Sequence, residues 1–428
     1  MKELANILAD FVEKADYEDL SKEVIEEAKR RIIDSLGVAT YALKSPPALV
    51  NKKLVQYYPG KSKLIGGGTA SPDFASFYNG LLIRYLDFND TYLSKEPLHP
   101  SDMIASLLSV GSMFEVSGKD LILSIAVGYE VGIRLCDSTS LRKKGYDHVN
   151  FLEVAIACAL SKMLHLNKEQ IVNAISISLV PHIALRETRS GDLSMWKAGA
   201  AANSNRNATF AVLAALNGFT GPPKPFSGAM GFINQIANDL DMKLFEKMDR
   251  VDSILKTYVK EFPVEYHAEA AIEASLKIKA ANIKKVTIET YEAAKTILAD
   301  KEKWRPKNRE TADHSLPYVV ATTLLKNDFW LYSYDYVNSP EIIDLMDKTV
   351  VVEVPEYTSL YPSQLPTKII VELADGKKIE EEVMVPLGHV NRKMNNQQIE
   401  EKYIKLGGNK SILDLVWNLE NKKVNDIV

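Results

Sequence analysis

The sequence is poor in several residue patterns, and each shortage excludes a class of protein. Its 428 residues contain two cysteines, Cys136 and Cys158, both in apolar, helix-like surroundings. Two thiols are too few for a disulfide framework or for a metal cluster that needs three or four thiolates. We therefore interpret both as small buried side chains in a reducing compartment.

Long apolar runs and concentrations of positive charge are also lacking. No apolar run reaches the about 20 residues that a membrane-spanning helix needs, and the first residues do not show the basic and then apolar pattern of a signal peptide. The formal net charge is −4, without a lysine-rich tail or an arginine cluster. The sequence therefore predicts a cytoplasmic protein with neither a membrane nor a nucleic acid as a partner.

Motifs for metals, phosphates and nucleophilic hydrolysis are absent as well. None of the seven histidines forms the i, i+4 pair with a nearby acid that is typical of a zinc helix. The glycine loop Gly66-Gly67-Gly68 lacks the lysine and hydroxyl ending of a phosphate loop, and no Gly-x-Ser-x-Gly elbow occurs. We expect a turn at the glycines, and we predict no bound metal.

Hydrophobic spacing predicts helices over most of the first 240 residues, and the character of the sequence changes after residue 262. Alternating residues there predict strands at 284–290 and 349–354, and a hairpin of 368–373 with 378–385 whose turn contains Asp375-Gly376. Helices are predicted at 264–281 and 311–325, and again at 394–406 and 410–419. A chain of this length favours two domains.

The predicted architecture is mainly α. A large all-helical domain covers residues 1–262 and is completed by residues 393–428, whereas a smaller α+β domain covers residues 263–392. Composition supports the two domain boundaries. It does not show that the last helices return to the first domain, and that return is a hypothesis.

The most informative stretch runs from Arg84 to Asp102, between two apolar helix-like segments. It contains an arginine, several aspartates, Thr91 and His99, and such groups are costly to bury unless each has a partner. That cost marks the stretch as a candidate site.

Two other histidines have suggestive positions, although each histidine is also compatible with a structural role. His148 precedes a helix, whose first backbone N–H groups can hold an anion, and His267 lies at the predicted domain boundary, where clefts tend to form.

Positively charged side chains concentrate around these points. They are Arg84, Arg186, Arg189, Lys197, Arg206 and Lys260. A solvated surface charge is the usual role of such residues. Arg206 lies in an alanine-rich helix, the kind that packs closely inside a domain, and we therefore predict a buried, ion-paired arginine there.

Several segments, in order along most of the chain, resemble the MmgE/PrpD family. They are Ile83-Arg84-Tyr85-Leu86-Asp87-Phe88-Asn89-Asp90-Thr91, His99-Pro100-Ser101-Asp102, Gly128-Tyr129-Glu130, Asp147-His148-Val149, Trp196-Lys197-Ala198-Gly199, Gly218-Phe219-Thr220-Gly221-Pro222, Lys260-Glu261-Phe262-Pro263-Val264-Glu265-Tyr266-His267, and Asp313-His314 with Tyr318. A series of such segments is far more specific than any single motif.

The resemblance implies a large helical domain with a smaller α+β lid, a homodimer, a site between the domains, and neither a metal nor an organic cofactor. It implies a hydro-lyase that dehydrates 2-methylcitrate, and also citrate as a possible substrate. Three alternatives stay open: decarboxylation of cis-aconitate, another small-acid reaction such as epimerisation, and a non-catalytic structural role. Arg84 and the spacing of His267 favour the dehydratase branch.

The family's pocket residues fall on individual positions of this chain. They are Asp87, Thr91, His99, His148, Lys260, His267 and Tyr318. The decarboxylase branch has a pocket lysine where this chain has Ser194, and Lys197 follows three residues later. The alignment leaves open whether Lys197 takes its place.

The predicted substrate is a small-molecule tricarboxylate, and the same residues suggest how it is bound and converted. We expect Arg84, Lys197 and Lys260 to bind its carboxylates, with Thr91 and Tyr318 as further substrate-binding residues. His99, His148 and His267 form the pool for the catalytic acid and base, and Asp87 is predicted to orient a histidine or to hold a cation. Which histidine is the base is not fixed by the sequence.

Overall fold

The structure is a computed structural model that describes residues 2–190 and 193–428. It divides into two compact units. The first comprises Met1–Thr257 with Asn395–Val428, and the second comprises Tyr258–Met394. The domain limits predicted from the sequence, 262 and 392, differ from these unit limits by a few residues.

The first unit is mainly helical in its described residues. Its α-helices are α1 (Leu4–Lys14), α2 (Lys22–Ala42), α3 (Pro46–Leu54), α4 (Pro72–Tyr85), α5 (Ile104–Met113), α6 (Gly118–Ser138), α7 (Val149–Met163), α8 (Lys168–Leu179) and α9 (Trp196–Leu216), followed near the end of the chain by α16 (Asn396–Lys405) and α17 (Lys410–Trp417). Helices α5 and α7 are buried over almost all of their length. No helix in the described ranges is long and apolar enough to cross a membrane.

Helix ends in this unit follow from local sequence. Ser21 caps α2 and Ser117 caps α6, each by accepting a hydrogen bond from a backbone N–H of the first turn. The side chains of Asn167 and Gln170 form a capping box at the start of α8. These caps fix the residues at which α2, α6 and α8 begin.

Helices α4 and α9 lie antiparallel and approach closely. A side chain at Gly80 would bring its Cβ within 3.1 Å of the Cα of Ala202, so glycine is needed at this contact. Further along the pair, the Thr209 hydroxyl donates to the hydroxyl of Ser76. Because the helices are antiparallel, the end of α4 at Arg84 lies beside the start of α9.

A two-residue pair of strands also belongs to the first unit. Strands β1 (Ser62–Lys63) and β2 (Thr69–Ala70) are antiparallel and flank the glycine loop. All three of its glycines, 66 to 68, have positive φ values, a conformation that favours glycine. The predicted turn is confirmed, and the short strands beside it were not predicted.

The second unit contains a four-stranded sheet with helices on it. Its elements are α10 (Glu269–Lys277), β3 (Ile283–Thr290), α11 (Glu292–Leu298), α12 (Arg309–Ala312), α13 (Leu316–Lys326), α14 (Pro340–Asp347), β4 (Thr349–Glu353), α15 (Pro355–Leu360), β5 (Thr367–Leu373) and β6 (Lys378–Val383). The strand order is β4-β3-β5-β6, with β3 and β4 parallel and the other pairs antiparallel. The β5–β6 hairpin turns at Asp375-Gly376 as predicted, with Gly376 at φ 86°.

Several predicted elements in this region are wrong in detail. The helix predicted at 311–325 is broken at residues 313–315, because Ser315 caps a new helix whose second residue is Pro317. The short helices α11, α14 and α15 were not predicted. The mainly α fold with a small mixed sheet is confirmed.

Candidate active site

Asp87 is the centre of a buried polar cluster in the first unit. It lies two residues after the end of α4 and has a left-handed backbone, with φ 51°. Its carboxylate oxygens lie 2.9 Å from Nη1 of Arg84 and 3.3 Å from Nζ of Lys197. The C-terminal end of α4 and the N-terminal start of α9 therefore bring one cation each to the same carboxylate. This follows from the antiparallel packing of the two helices.

His99 faces the same carboxylate through one ring nitrogen. Its Nδ1 lies 2.7 Å from the backbone carbonyl oxygen of Asp90, and because a carbonyl can only accept, Nδ1 carries the hydrogen. The other nitrogen, Nε2, lies 4.0 Å from Oδ1 of Asp87. Neutral His99 therefore has its lone pair on the Asp87 side, and protonated His99 has an N–H there.

His148 lies immediately before α7 and is held by Asp147 and Arg189. Its Nδ1 is 3.1 Å from Oδ1 of Asp147, and the Arg189 guanidinium lies 3.0 Å from the same carboxylate and 3.5 Å from Nε2 of the histidine. The His148 and His99 rings meet edge to face, with centroids 5.8 Å apart. Two imidazoles thus border one site.

Burial and charge fix the protonation of the Asp147–His148 pair. Burial and the positive charge of Arg189 lower the pKa of His148 to about 3, although the negative charge of Asp147 acts to raise it. Burial acts to raise the pKa of Asp147, but the charge of Arg189 and the hydrogen bonds from Arg189 and the Val149 N–H act in the opposite direction, and the pKa is lowered. His148 is consequently neutral near pH 7, with Nδ1–H donated to Asp147 and a lone pair on Nε2.

A second layer of contacts holds the backbone that positions His99. The Asp90 carboxylate accepts hydrogen bonds from the Tyr129 hydroxyl at 2.7 Å and from the Ser101 N–H at 2.9 Å, and it lies 3.3 Å from Nε of Arg31. Burial raises the pKa of Asp90, against the opposing charge of Arg31. These contacts hold Asp90 through its side chain, and its backbone carbonyl accepts the hydrogen bond from His99.

Arg84 lies between two buried carboxylates. Its Nε is 3.7 Å from Oδ2 of Asp102, and Asp102 also accepts a hydrogen bond from the Asn89 side chain at 2.8 Å. Burial raises the pKa of Asp102 to about 7, although Arg84 opposes this shift. Asp87 and Asp102 together orient the planar guanidinium.

The remaining predicted residue of this unit, Thr91, is also buried here. Its hydroxyl donates to the backbone carbonyl of Leu98 at 3.4 Å. The structure therefore places five predicted site residues in one cluster and Thr91 on the loop beside it. The five are Arg84, Asp87, His99, His148 and Lys197.

The second unit contains the other predicted site residues. Lys260 and His267 are buried, and Nδ1 of His267 lies 2.5 Å from the hydroxyl of Tyr291. Tyr318 lies in the hydrophobic core of this unit, where its hydroxyl donates to the carbonyl of Ser333 at 2.5 Å. Substrate contacts of these residues stay predictions.

Some residues that contact the predicted site residues were not themselves predicted as site residues. Asp147 directly precedes His148, and Asp102 lies three residues after His99. Their closeness in sequence to a predicted histidine was a signal that could have identified both. Arg189 was noted only as one of several cations, and Tyr291 carries no signal in the sequence.

The prediction for Arg206 is wrong. Its side chain is half-buried, bonds the Asn207 side chain at 3.2 Å and lies 5.8 Å from the ring centroid of Phe74. Among the residues that the structure describes, no ion pair of Arg206 is found. The reason is the side of α9 on which it lies, because Phe210, one turn further along, is exposed.

Comparison with known proteins gives matches over both units. The family models for the MmgE/PrpD N-terminal domain and the MmgE/PrpD C-terminal domain match residues 6–244 and 262–411. The 2-methylcitrate dehydratase of Escherichia coli K12 is 30% identical over 92% of this chain and 87% of its own length. A probable 2-methylcitrate dehydratase of Saccharomyces cerevisiae is 29% identical over 86% and 78%, and an alkylcitrate dehydratase of a fungal species is 26% identical over 91% and 84%.

Proposed function

The chain belongs to the MmgE/PrpD family, and we propose that it dehydrates 2-methylcitrate to 2-methyl-cis-aconitate without a cofactor. Its relatives make it a carbon–oxygen lyase of the dehydratase type. One observation carries the proposal: two histidines with differently held rings border a carboxylate that binds two cations. Elimination of water requires one base and one acid in such proximity.

His148 is the proposed base. Its Nδ1 is bonded to Asp147 at 3.1 Å and burial lowers its pKa to about 3, which supports a neutral ring near pH 7 with its lone pair on Nε2, 3.5 Å from the Arg189 guanidinium. That lone pair would accept the proton from the carbon next to a substrate carboxylate. The electron pair left on carbon then forms the double bond as the neighbouring hydroxyl leaves.

His99 is the proposed acid. When it is protonated, its Nε2–H faces the Asp87 carboxylate, 4.0 Å away. His99 would give this proton to the departing hydroxyl, which leaves as water. One proton thus goes to His148 and one leaves His99, and exchange with solvent restores both rings.

Arg84, Lys197 and Arg189 are the cations available in the first unit for a tricarboxylate. Each contacts a carboxylate of the chain: Asp87 for the first two and Asp147 for the third. The three positive charges are therefore partly balanced before substrate binds. We expect Lys260, which stays a predicted site residue, to supply further positive charge, and cations near the abstracted proton would stabilise the enolate-like charge that develops.

An ultraviolet assay tests the proposal, because the product has a conjugated double bond and the substrate has none. Purified protein is mixed with 2-methylcitrate, and separately with citrate, with and without a chelator. We expect an absorbance rise with 2-methylcitrate that is insensitive to the chelator. No rise with either acid would refute dehydration, loss of activity on chelation would refute the cofactor-free reaction, and release of carbon dioxide from cis-aconitate would favour the decarboxylase alternative.

The homodimer and the cytoplasmic location are further proposals. They rest on the resemblance to the family and on the composition of the sequence. Light scattering on the purified protein should give twice the mass of the chain, and the mass of a single chain would refute the dimer.

A further inference from the structure

Lys402, in α16 near the end of the chain, is buried beside the loop that carries Asp87. Its side chain is 4% exposed, and its Nζ lies 2.6 Å from Oδ1 of the fully buried Asp34. The same ammonium donates to the backbone carbonyl of Phe88 at 2.9 Å and lies 3.8 Å from the centroid of the Phe88 ring. The lysine therefore contacts both the backbone and the side chain of one residue.

Phe88 is the residue directly after Asp87, whose backbone is in the left-handed region. A non-glycine residue in that region is strained and persists only where its surroundings hold it. The Asp87 N–H bonds the carbonyl of Arg84 at 3.1 Å on one side, and Lys402 holds the Phe88 carbonyl on the other. The Asp90 carbonyl, two peptides further on, is in turn bonded by His99.

A buried ion pair is a costly way to stabilise a fold. Apolar residues of similar volume are often as stabilising as a buried pair or more so, because two charges must be removed from water. Stabilisation of the fold alone therefore does not explain the Asp34–Lys402 pair. An ammonium does, however, supply a hydrogen-bond donor to the Phe88 carbonyl, which an apolar side chain cannot do.

We propose that Lys402 is a positioning residue for the reaction, which holds the Asp87 backbone so that its carboxylate faces His99, Arg84 and Lys197. The inference rests on the proposed function of that cluster. It gives the C-terminal segment a role in the site although none of its residues needs to touch the substrate. A misplacement of about 1 Å at a catalytic group can cost about 100-fold in rate, so a remote contact of this kind has a measurable effect.

Two charge-neutral variants separate positioning from simple charge balance. Asp34→Asn with Lys402→Gln keeps an N–H donor for the Phe88 carbonyl, whereas Asp34→Leu with Lys402→Met removes it. We expect the first variant to keep most of the turnover and the second to lose about 100-fold in kcat, with KM changed less than about threefold. Lys410→Met, at an exposed lysine at the start of α17, is the control for loss of a lysine and should be neutral.

Equal kcat values in the two charge-neutral variants would overturn the proposal. Thermal unfolding is measured for both, so that a loss of fold is not mistaken for a loss of positioning. If the Leu/Met variant does not fold, Asp34→Asn with Lys402→Met replaces it, because this variant also removes the donor and keeps a polar residue at position 34.

Failure of the proposed function would be recognised separately, as a wild-type protein that dehydrates neither 2-methylcitrate nor citrate. Crystal structures of the two variants then decide the inference without any activity. We expect the variant without the donor to show Asp87 outside its φ of 51°, or its carboxylate about 1 Å further from His99. An Asp87 that stays in place in both variants would overturn the positioning role.

Discussion

At the scale of single residues, the chemistry depends on which ring nitrogen of each histidine carries a hydrogen. His99 donates Nδ1–H to a backbone carbonyl, and His148 donates Nδ1–H to the Asp147 carboxylate. Both leave Nε2 towards the cluster, but the two nitrogens face opposite charges: Asp87 for His99 and Arg189 for His148. This asymmetry is what separates the proposed acid from the proposed base.

Replacing Asp147 by asparagine should disable His148 without removing it. The asparagine amide group can donate to Nδ1, which moves the ring hydrogen to Nε2 and removes the lone pair that accepts the substrate proton. We expect kcat for 2-methylcitrate to fall by roughly 10²- to 10⁴-fold in steady-state assays. Asp120→Asn, at a partly exposed aspartate of α6, is the control. Normal turnover of Asp147→Asn would remove His148 from the role of base.

The neutrality of His148 should also appear in the pH dependence of stability. The pKa of His148 is about 3 in the folded chain, against 6.5 for an ordinary histidine such as that of the unfolded chain. Between these two pH values the unfolded chain therefore binds more protons than the folded chain. The free energy of unfolding of the wild type should therefore rise with pH from about 4 to about 6.5, relative to His148→Asn, and then run parallel to it. Denaturant unfolding at a series of pH values measures this, and parallel curves throughout would contradict it.

At the scale of elements, the helices were predictable and their partners were not. Apolar spacing in α2 and α6, and the caps Ser21 and Ser117, are local signals that the sequence displays directly. The closeness of α4 and α9 depends on Gly80, which looks in the sequence like any other helical glycine. For the same reason the contact of Arg189 with Asp147, across 42 residues, could not be anticipated.

Strand β3 ends next to a tyrosine that supports a predicted site residue. The hydroxyl of Tyr291, which is fully buried, lies 2.5 Å from Nδ1 of His267, and burial keeps the pKa of this hydroxyl well above its usual range, so it stays protonated. Tyr291→Phe deletes one oxygen and removes the hydrogen bond between this hydroxyl and Nδ1 of His267. If His267 takes part in the reaction, kcat should fall about tenfold or more, and the pH profile of kcat should change.

The stability of this variant should change little, because a single buried hydrogen bond contributes about 1 kcal/mol. Tyr403→Phe, in which a buried tyrosine loses a hydroxyl bonded to Asn409, is the matched control. A Tyr291→Phe protein with the kcat and pH profile of the wild type would show that His267 needs no such support, and would weaken its place in the catalytic pool.

At the scale of the whole molecule, the first unit is made from both ends of the chain. The change in composition near 262 and near 392 was readable from the sequence, because strand alternation replaces helical spacing after the first position and helical spacing returns after the second. The partners of the last helices were not readable, since they depend on contacts across several hundred residues. Tyr403 lies against Gly37, and Lys63 reaches the carbonyl of Val428 at 2.9 Å.

The C-terminal segment also continues the backbone hydrogen bonding of the first unit. The N–H of Val424 bonds the carbonyl of Val116 at 3.0 Å, and the N–H of Gly118 bonds the carbonyl of Lys422 at 2.8 Å. A chain that stops at residue 394 leaves these groups and the apolar surface under α16 and α17 exposed. The second unit, by contrast, has a hydrophobic core that lies wholly within residues 262–383.

Truncation at residue 394 should therefore unfold the first unit and spare the second. We expect the truncated chain to lose most of its helical circular dichroism and all activity, while a separate chain of residues 258–394 keeps a cooperative thermal transition, because its core needs no residue outside that range. Co-expression of residues 395–428 with the truncated chain should restore helicity, since the segment supplies packing and hydrogen bonds rather than a covalent link. A truncated chain that stays helical and active would refute both this dependence and the role of Lys402.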